Sequence, residues 1–374
     1  MRAPNEIDFW RGFALVTIFI NHIPGVYFER FTFRNVSLSD SAELFVFLAG
    51  WAMRRLVQGF GQPLSVSRLV LRLCGRGLSI YFAQTVITEV AIALLAGFSI
   101  LLDAPFLLDW HNASAVFNDP VNAHVGLVLL THQLGYFNIL PLYIVLMFAA
   151  PFIALTNRYA QMALLPISLG VYAMALTFGV NLPSWPVEGS WFFNPLSWQL
   201  IFVLGFLLAG EDGLGGWARR HHKWLRRVAV PIVAAGVVSA WMNFSPDPIA
   251  VPEPKLFFMF DKTFLSPARL IHSLALSALF AGAFTTIALW LPRGSGFLCL
   301  LGRNSLNVFC VGSLLSLSGQ IFRYVYGGHV ATDAFVVIVG LIVMGIVAWS
   351  SEWRDRVRVD SGGGRFSASP SSPA

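Results

Sequence analysis

Long apolar runs follow one another along nearly the whole chain, and they constrain its fold more than any other feature. About ten can be counted, at 7–28, 41–60, 77–102, 134–155, 161–180, 194–211, 228–245, 268–291, 304–325 and 331–350. Each is about as long as an α-helix must be to cross roughly 30 Å of hydrocarbon at 1.5 Å per residue. Backbone groups in lipid have to bond within their own segment, so such runs become helices. The expectation is an all-α fold, a polytopic membrane helix bundle of about ten transmembrane helices. Only 12% of the residues are charged, about half the share usual in soluble domains. One integral membrane domain over 1–351 is expected, then a cytoplasmic tail over 352–374. The tail ends in "SGGGRFSASPSSPA" and has the composition of a disordered segment.

Charge placement sets the expected orientation. The chain has 25 lysines and arginines. With the N-terminus inside, only Arg30, Arg34, Lys255, Lys262, Arg269 and Arg323 fall outside. Such a bias puts both termini in the cytoplasm. It also reads the basic run "RRHHKWLRR" (219–227) as plain anchoring, and the net charge of +6 as membrane-related rather than nucleic-acid binding. No small-residue cleavage pattern follows the first run, so it is read as retained. Cys74, Cys299 and Cys310 lack CxxC spacing and read as packing residues. No metal site and no tightly bound cofactor are expected.

Polar residues inside the membrane are costly, and they mark candidate chemistry. The first run, "DFWRGFALVTIFINHIP" (8–24), carries Arg11 and His22. Eleven residues make about three turns, so the two side chains share a face about 16 Å apart and form a polar stripe. An imidazole serves as a general base near neutral pH. The plainer reading has Arg11 snorkelling to headgroups and His22 hydrogen-bonded structurally. Asp40 and Glu43 open the second run in "FTFRNVSLSDSAELFVFLAG" (31–50). Either carboxylate would orient His22, as in a catalytic triad; the plainer reading makes them helix caps. Arg68, Arg72 and Arg76, spaced i, i+4, i+8, form a basic stripe suited either to holding phosphates or to anchoring the helix. His132, Trp198, Gln199, Lys262, Arg269 and His272 fall toward the outer half, as acceptor-binding candidates or as packing residues.

The sequence resembles the OpgC-like branch of the acyltransferase type 3 integral membrane family. The resemblance rests on Arg11…His22 in the first motif and on the 31–50 segment. It rests further on "FNILPLYIVLMFAAP" (137–151), "FFNPLSWQLIFVLG" (192–205), "DKTFLSPARLIHSLAL" (261–276) and "LGRNSLNVF" (301–309). It implies about ten membrane helices in the bacterial inner membrane. It also implies O-acyl transfer from a cytoplasmic acyl-CoA, with succinyl-CoA the expected donor, to a periplasmic or envelope glucan. Carried onto this chain, His22 is the catalytic histidine and Arg11 its donor-side motif partner. Glu43 in "SAELFV" stands where relatives read an aspartate in "GVDLFF". Relatives carry Arg-x-x-Arg in the third helix, whereas Arg72 and Arg76 are one residue further apart. A succinyl donor brings a free carboxylate, for which Arg34, with Asn35 beside it, is the nearest basic partner in sequence. The plainer reading pairs Arg34 with Asp40 or Glu43. The rival function is a sugar or lipid transporter or flippase, against which the chain shows no repeated halves.

Overall fold

The computed structural model describes residues 4–58 and 64–363 and contains fifteen α-helices. They are α1 (Glu6–Asn21), α2 (Ser41–Gln58), α3 (Val66–Leu101), α4 (Ser114–Asn118), α5 (Pro120–Val128), α6 (Ile139–Tyr159), α7 (Gln161–Phe178) and α8 (Pro195–Leu208). Then follow α9 (Gly213–Arg220), α10 (His222–Trp241), α11 (Pro267–Phe280), α12 (Ala283–Trp290), α13 (Pro292–Arg303), α14 (Ser305–Tyr326) and α15 (Val330–Gly363). No strand occurs among the described residues, as expected for an all-α membrane protein.

Six of these helices are long and apolar enough to cross a membrane. Two bent pairs, α8 with α9 (70°) and α11 with α12 (56°), raise the number to as many as eight. The chain is therefore a multi-pass membrane protein. Helices α1 and α2 fall outside that test, because α1 has 16 residues and α2 carries Glu43, Arg54 and Arg55.

Several expected boundaries move, each for a local reason. The first run was read to residue 28, yet α1 stops at Asn21. His22 is its C-cap, and Pro24 with Gly25, at φ +73°, turns the chain out of the helix. The last helix continues past residue 352 to Gly363; residues 364–374 lie outside those described. Arg303 meets Glu352 there, at 2.7 Å. Residues 292–303, read as a connection, are helix α13, which lies along α1.

Two glycine pairs explain how these helices come so close. A Cβ on Gly12 would sit 1.9 Å from the Leu298 carbonyl oxygen, and one on Gly302 would sit 1.8 Å from that of Asp8. Between α2 and α8, Gly50 lies against the Phe202 carbonyl and Gly205 against that of Phe47. Small residues let membrane helices pack backbone to backbone. Gly302→Val should therefore push α13 off α1, at a cost of about 1–3 kcal/mol. A thermal melt in detergent checks this, and an unchanged midpoint would show that the contact is not tight.

Candidate active site

The C-terminal end of α1 meets the N-terminal ends of α2 and α6 and the segments leading into α8 and α11. Together they enclose a polar cavity of about 630 Å³. His22 and Asn21 come from α1, Arg34 from the following turn, Asp40 and Ser41 from the start of α2, and Asn138 from the cap of α6. Lys262 and Thr263 form another wall. The roof is a loop closed by a bridge between Pro183 and Ser190. It is latched to the 131 region by Thr131 Oγ1 donating to the Trp185 carbonyl, at 3.0 Å.

His22 is held by its backbone and its ring face. Gln320 on α14 donates to the His22 carbonyl at 2.6 Å, and its own carbonyl oxygen lies 2.9 Å from His111 Nε2. Because the Gln320 amide nitrogen is occupied, His111 must be the donor, which fixes its tautomer. The Tyr136 ring lies 4.8 Å from the His22 ring at 30° and 5.2 Å from the His111 ring. Arg323 donates to the carbonyls of Pro24 (2.5 Å) and Gly25 (2.8 Å) and pairs with Asp333 at 2.6 Å. Asp333 in turn accepts from the Tyr27 amide at 2.7 Å. The turn after His22 is thus clamped by α14 and the start of α15. Nδ1 of His22 is buried without a hydrogen-bond partner.

His111, Asn112 and Tyr136 have left-handed backbones, with φ of 58°, 63° and 65°. Such conformations cost about 1 kcal/mol or more in a residue with a side chain, and they concentrate at functional sites. Burial pushes the imidazoles of His111 and His132, in the loops outside the helices, toward the neutral form. His132 lines the cavity with Nε2 buried and unpartnered.

The carboxylates do not orient His22 as the sequence reading expected. Asp40 and Glu43 form a capping box on α2: Asp40 accepts from the Ala42 amide (2.8 Å) and Glu43 from the Asp40 amide (2.9 Å). Their remaining oxygens meet bases. Lys262 lies 2.5 Å from Asp40, and Arg269 lies 2.6 Å from Glu43 and 3.6 Å from Asp40. The plainer reading, a cap, therefore describes both. Asp40 still lines the cavity, whereas Glu43 is 0% exposed and does not.

The other candidates separate by position. Arg34 lines the cavity and meets Glu29 at 3.6 Å, rather than Asp40 or Glu43. Asn35 points away, donating to the Glu29 carbonyl at 2.9 Å. Lys262 is a wall residue, and Trp198 supports its loop by donating to the carbonyls of Lys262 and Thr263, each at 3.1 Å. Gln199 bonds Ser168, and Arg269 serves the carboxylates. His272 bonds Ser39 at 2.9 Å and fills the space left by Gly236, so these three are not in the cavity.

At the far end of α1, Arg11 donates to Ser305, and both Arg11 and His22 therefore reach α14. The polar stripe between them is interrupted, because Leu15 and Ile18 on that face are buried and apolar. Arg68, Arg72 and Arg76 are exposed on α3. Arg68 shares its face with Val86 and Arg72 with Val90, each pair about five turns apart. Val86 and Val90 are exposed too, so Arg68 and Arg72 continue an exposed ridge of α3, and none of the three arginines lines the cavity. Among the described residues no group of three or more His, Cys, Asp or Glu side chains could hold a metal ion.

Sequence reasoning missed His111, Tyr136 and Gln320. Gln320 carried a usable signal, as a polar side chain within an apolar run. His111 and Tyr136 lie in loops, and nothing in their spacing ties them to His22.

A buried ion pair is most costly when one partner is removed, at about 3–5 kcal/mol. Glu43→Gln should therefore lower the melting midpoint in detergent by several degrees, and Glu43→Gln with Arg269→Met should lose less. An unchanged midpoint in the single variant would show that the pair has no structural role.

No curated protein and no solved structure matches the chain. A family model described as OpgC protein matches residues 3–356, so the chain belongs to the OpgC protein family.

Proposed function

We propose that this protein is a membrane-embedded O-acyltransferase that moves an acyl group from acyl-CoA to a hydroxyl of an envelope glucan. One observation carries the reading: His22 opens into a polar cavity of about 630 Å³ at one end of the bundle, with its backbone carbonyl fixed. In this mechanism the His22 imidazole takes the proton of a sugar hydroxyl. The oxygen attacks the thioester carbonyl carbon, the C–S bond breaks, and the leaving thiolate recovers the proton from the imidazolium. The first turn of α6 has no side-chain cap and faces the cavity, and its positive end suits the oxyanion that forms.

The donor route in this proposal is the apolar groove between α1, α2 and α11, of about 430 Å³. It runs from Glu6 past Trp10 and Phe13 to Asp40, which also lines the main cavity. A pantetheine arm is slender enough for such a groove. Arg226 donates to the Ala281 carbonyl at the rim of the groove. It is better placed for the donor phosphates than Arg68, Arg72 or Arg76. In this reading that rim is cytoplasmic and the His22 end periplasmic, which the lysine and arginine bias supports. The buried apolar face between Arg11 and His22 speaks against an ion-coupled transport path.

His22→Ala should abolish acyl transfer from radiolabelled acyl-CoA while leaving the detergent melting midpoint close to wild type. Wild-type product from that variant would rule out His22 as the base. The donor is proposed to be succinyl-CoA, with Arg34 receiving its free carboxylate. Arg34→Gln should then impair succinyl transfer at least tenfold more than acetyl transfer, and Arg34→Lys should restore it only in part. Equal loss with both donors would remove the succinyl pocket and leave the acyltransferase reading standing.

A further inference from the structure

A second cleft adjoins the cavity, about 580 Å³ in volume and open to the outside. His111 and Tyr136 line both spaces, so the two adjoin at those residues. The left-handed turn at His111 and Asn112 makes the division: Trp110 faces the second cleft, Asn112 faces the cavity, and His111 borders both. The Trp110 and Tyr324 rings pack edge to face, 6.5 Å apart at 84°, and Phe106 lies 5.2 Å from Tyr324, so the rings form an aromatic corner in the wall of the cleft. Tyr324 is 49% exposed.

The chemistry of this corner points to an uncharged polar ligand. Arg323 reaches the cleft, but its charge is met by Asp333 and two of its other donors hold the carbonyls of Pro24 and Gly25. It is therefore poorly suited to bind an anion. A pyranose ring has an apolar C–H face that covers an aromatic ring, and hydroxyls at its edge that bond polar neighbours. Two aromatic planes at right angles, edged by polar side chains, match that shape.

We propose that the Trp110–Tyr324 cleft is a second sugar-binding subsite, which holds a glucosyl unit of the acceptor beside the unit acylated at His22. This rests on the glucan acyltransferase reading, and it adds that the enzyme selects a chain of sugars over a single one. Binding a remote unit then places the reacting hydroxyl.

The test measures binding and transfer separately on the purified full chain in detergent. Calorimetry with a six-unit gluco-oligosaccharide and with glucose is run on wild type, Trp110→Ala and Tyr324→Ala, with a thermal melt for each. The wild type should bind the oligosaccharide more tightly than glucose. Each variant should weaken oligosaccharide binding about tenfold and glucose binding far less, with a folded melt. Equal weakening for both sugars, or none, overturns the subsite, and so does a wild type that binds the two alike. If either variant does not fold, Trp110→Phe and Tyr324→Phe, which keep a ring, are compared with Trp110→Leu and Tyr324→Leu. Binding lost only without the ring supports the subsite. Equal binding by the ring and leucine variants overturns it. Oligosaccharide binding of the expected pattern without any acyl transfer would leave the subsite standing and remove the acyltransferase reading. Transfer with no preference for the longer acceptor would do the opposite.

Discussion

The hydrogen bond from Gln320 to the His22 carbonyl is the contact on which the candidate site depends. A helix C-terminus leaves its last carbonyls without intrahelical partners, and in a membrane protein water is not always there to take them. Here α14 supplies the donors. Gln320 serves His22, and Arg323 serves Pro24 and Gly25. One helix thereby both completes the end of α1 and fixes where the imidazole stands. The same amide carries the connection to His111, whose ring contacts Tyr136, which in turn lies over His22. Contacts to the backbone and the ring face of this kind hold a reacting group in place without a carboxylate on its ring nitrogen.

The paired charges serve another part of the same architecture. Asp40, Glu43, Lys262 and Arg269 form a cluster of two acids and two bases, with most of its charge out of water. A buried pair gives little net stability, because desolvation offsets the attraction. Its geometry is what matters here. The cluster joins the first turn of α2 to the segment that enters α11, and so sets the distance between two walls of the cavity. Trp198 holds the same segment from the other side.

Close helix packing ties the two ends of the molecule together. The glycine pairs bring α13 onto α1 and α8 onto α2 with no side chain between the backbones. The apolar groove proposed for the donor lies on the remaining face of α1, toward α2 and α11. Access to His22 from one side and from the other is then a matter of which faces of α1 are packed and which are left open.

Apolar run length determined the membrane helices, because a segment in lipid has no alternative to helix; α3, α6, α7, α10, α14 and α15 answer to that rule directly. Sequence also singled out His22, since an ionisable residue within the membrane is costly unless it has a use, and Arg34, as the nearest basic residue in the connection that follows; both line the cavity, as do Asp40, His132 and Lys262. It could not decide the partners. Asp40 and Glu43 lie close to His22 in sequence, yet Lys262 and Arg269, more than two hundred residues away, take their charges. Gln320 is more remote still, and His111 is tied to the site only through Gln320 and Tyr136. Residues 292–303 looked like a connection because their apolar content is low, and two glycines turned them into a packed helix. Periodicity and hydropathy are local properties of the chain. Which side chains share a cavity depends on interhelical contacts, and these exist only once the helices are packed.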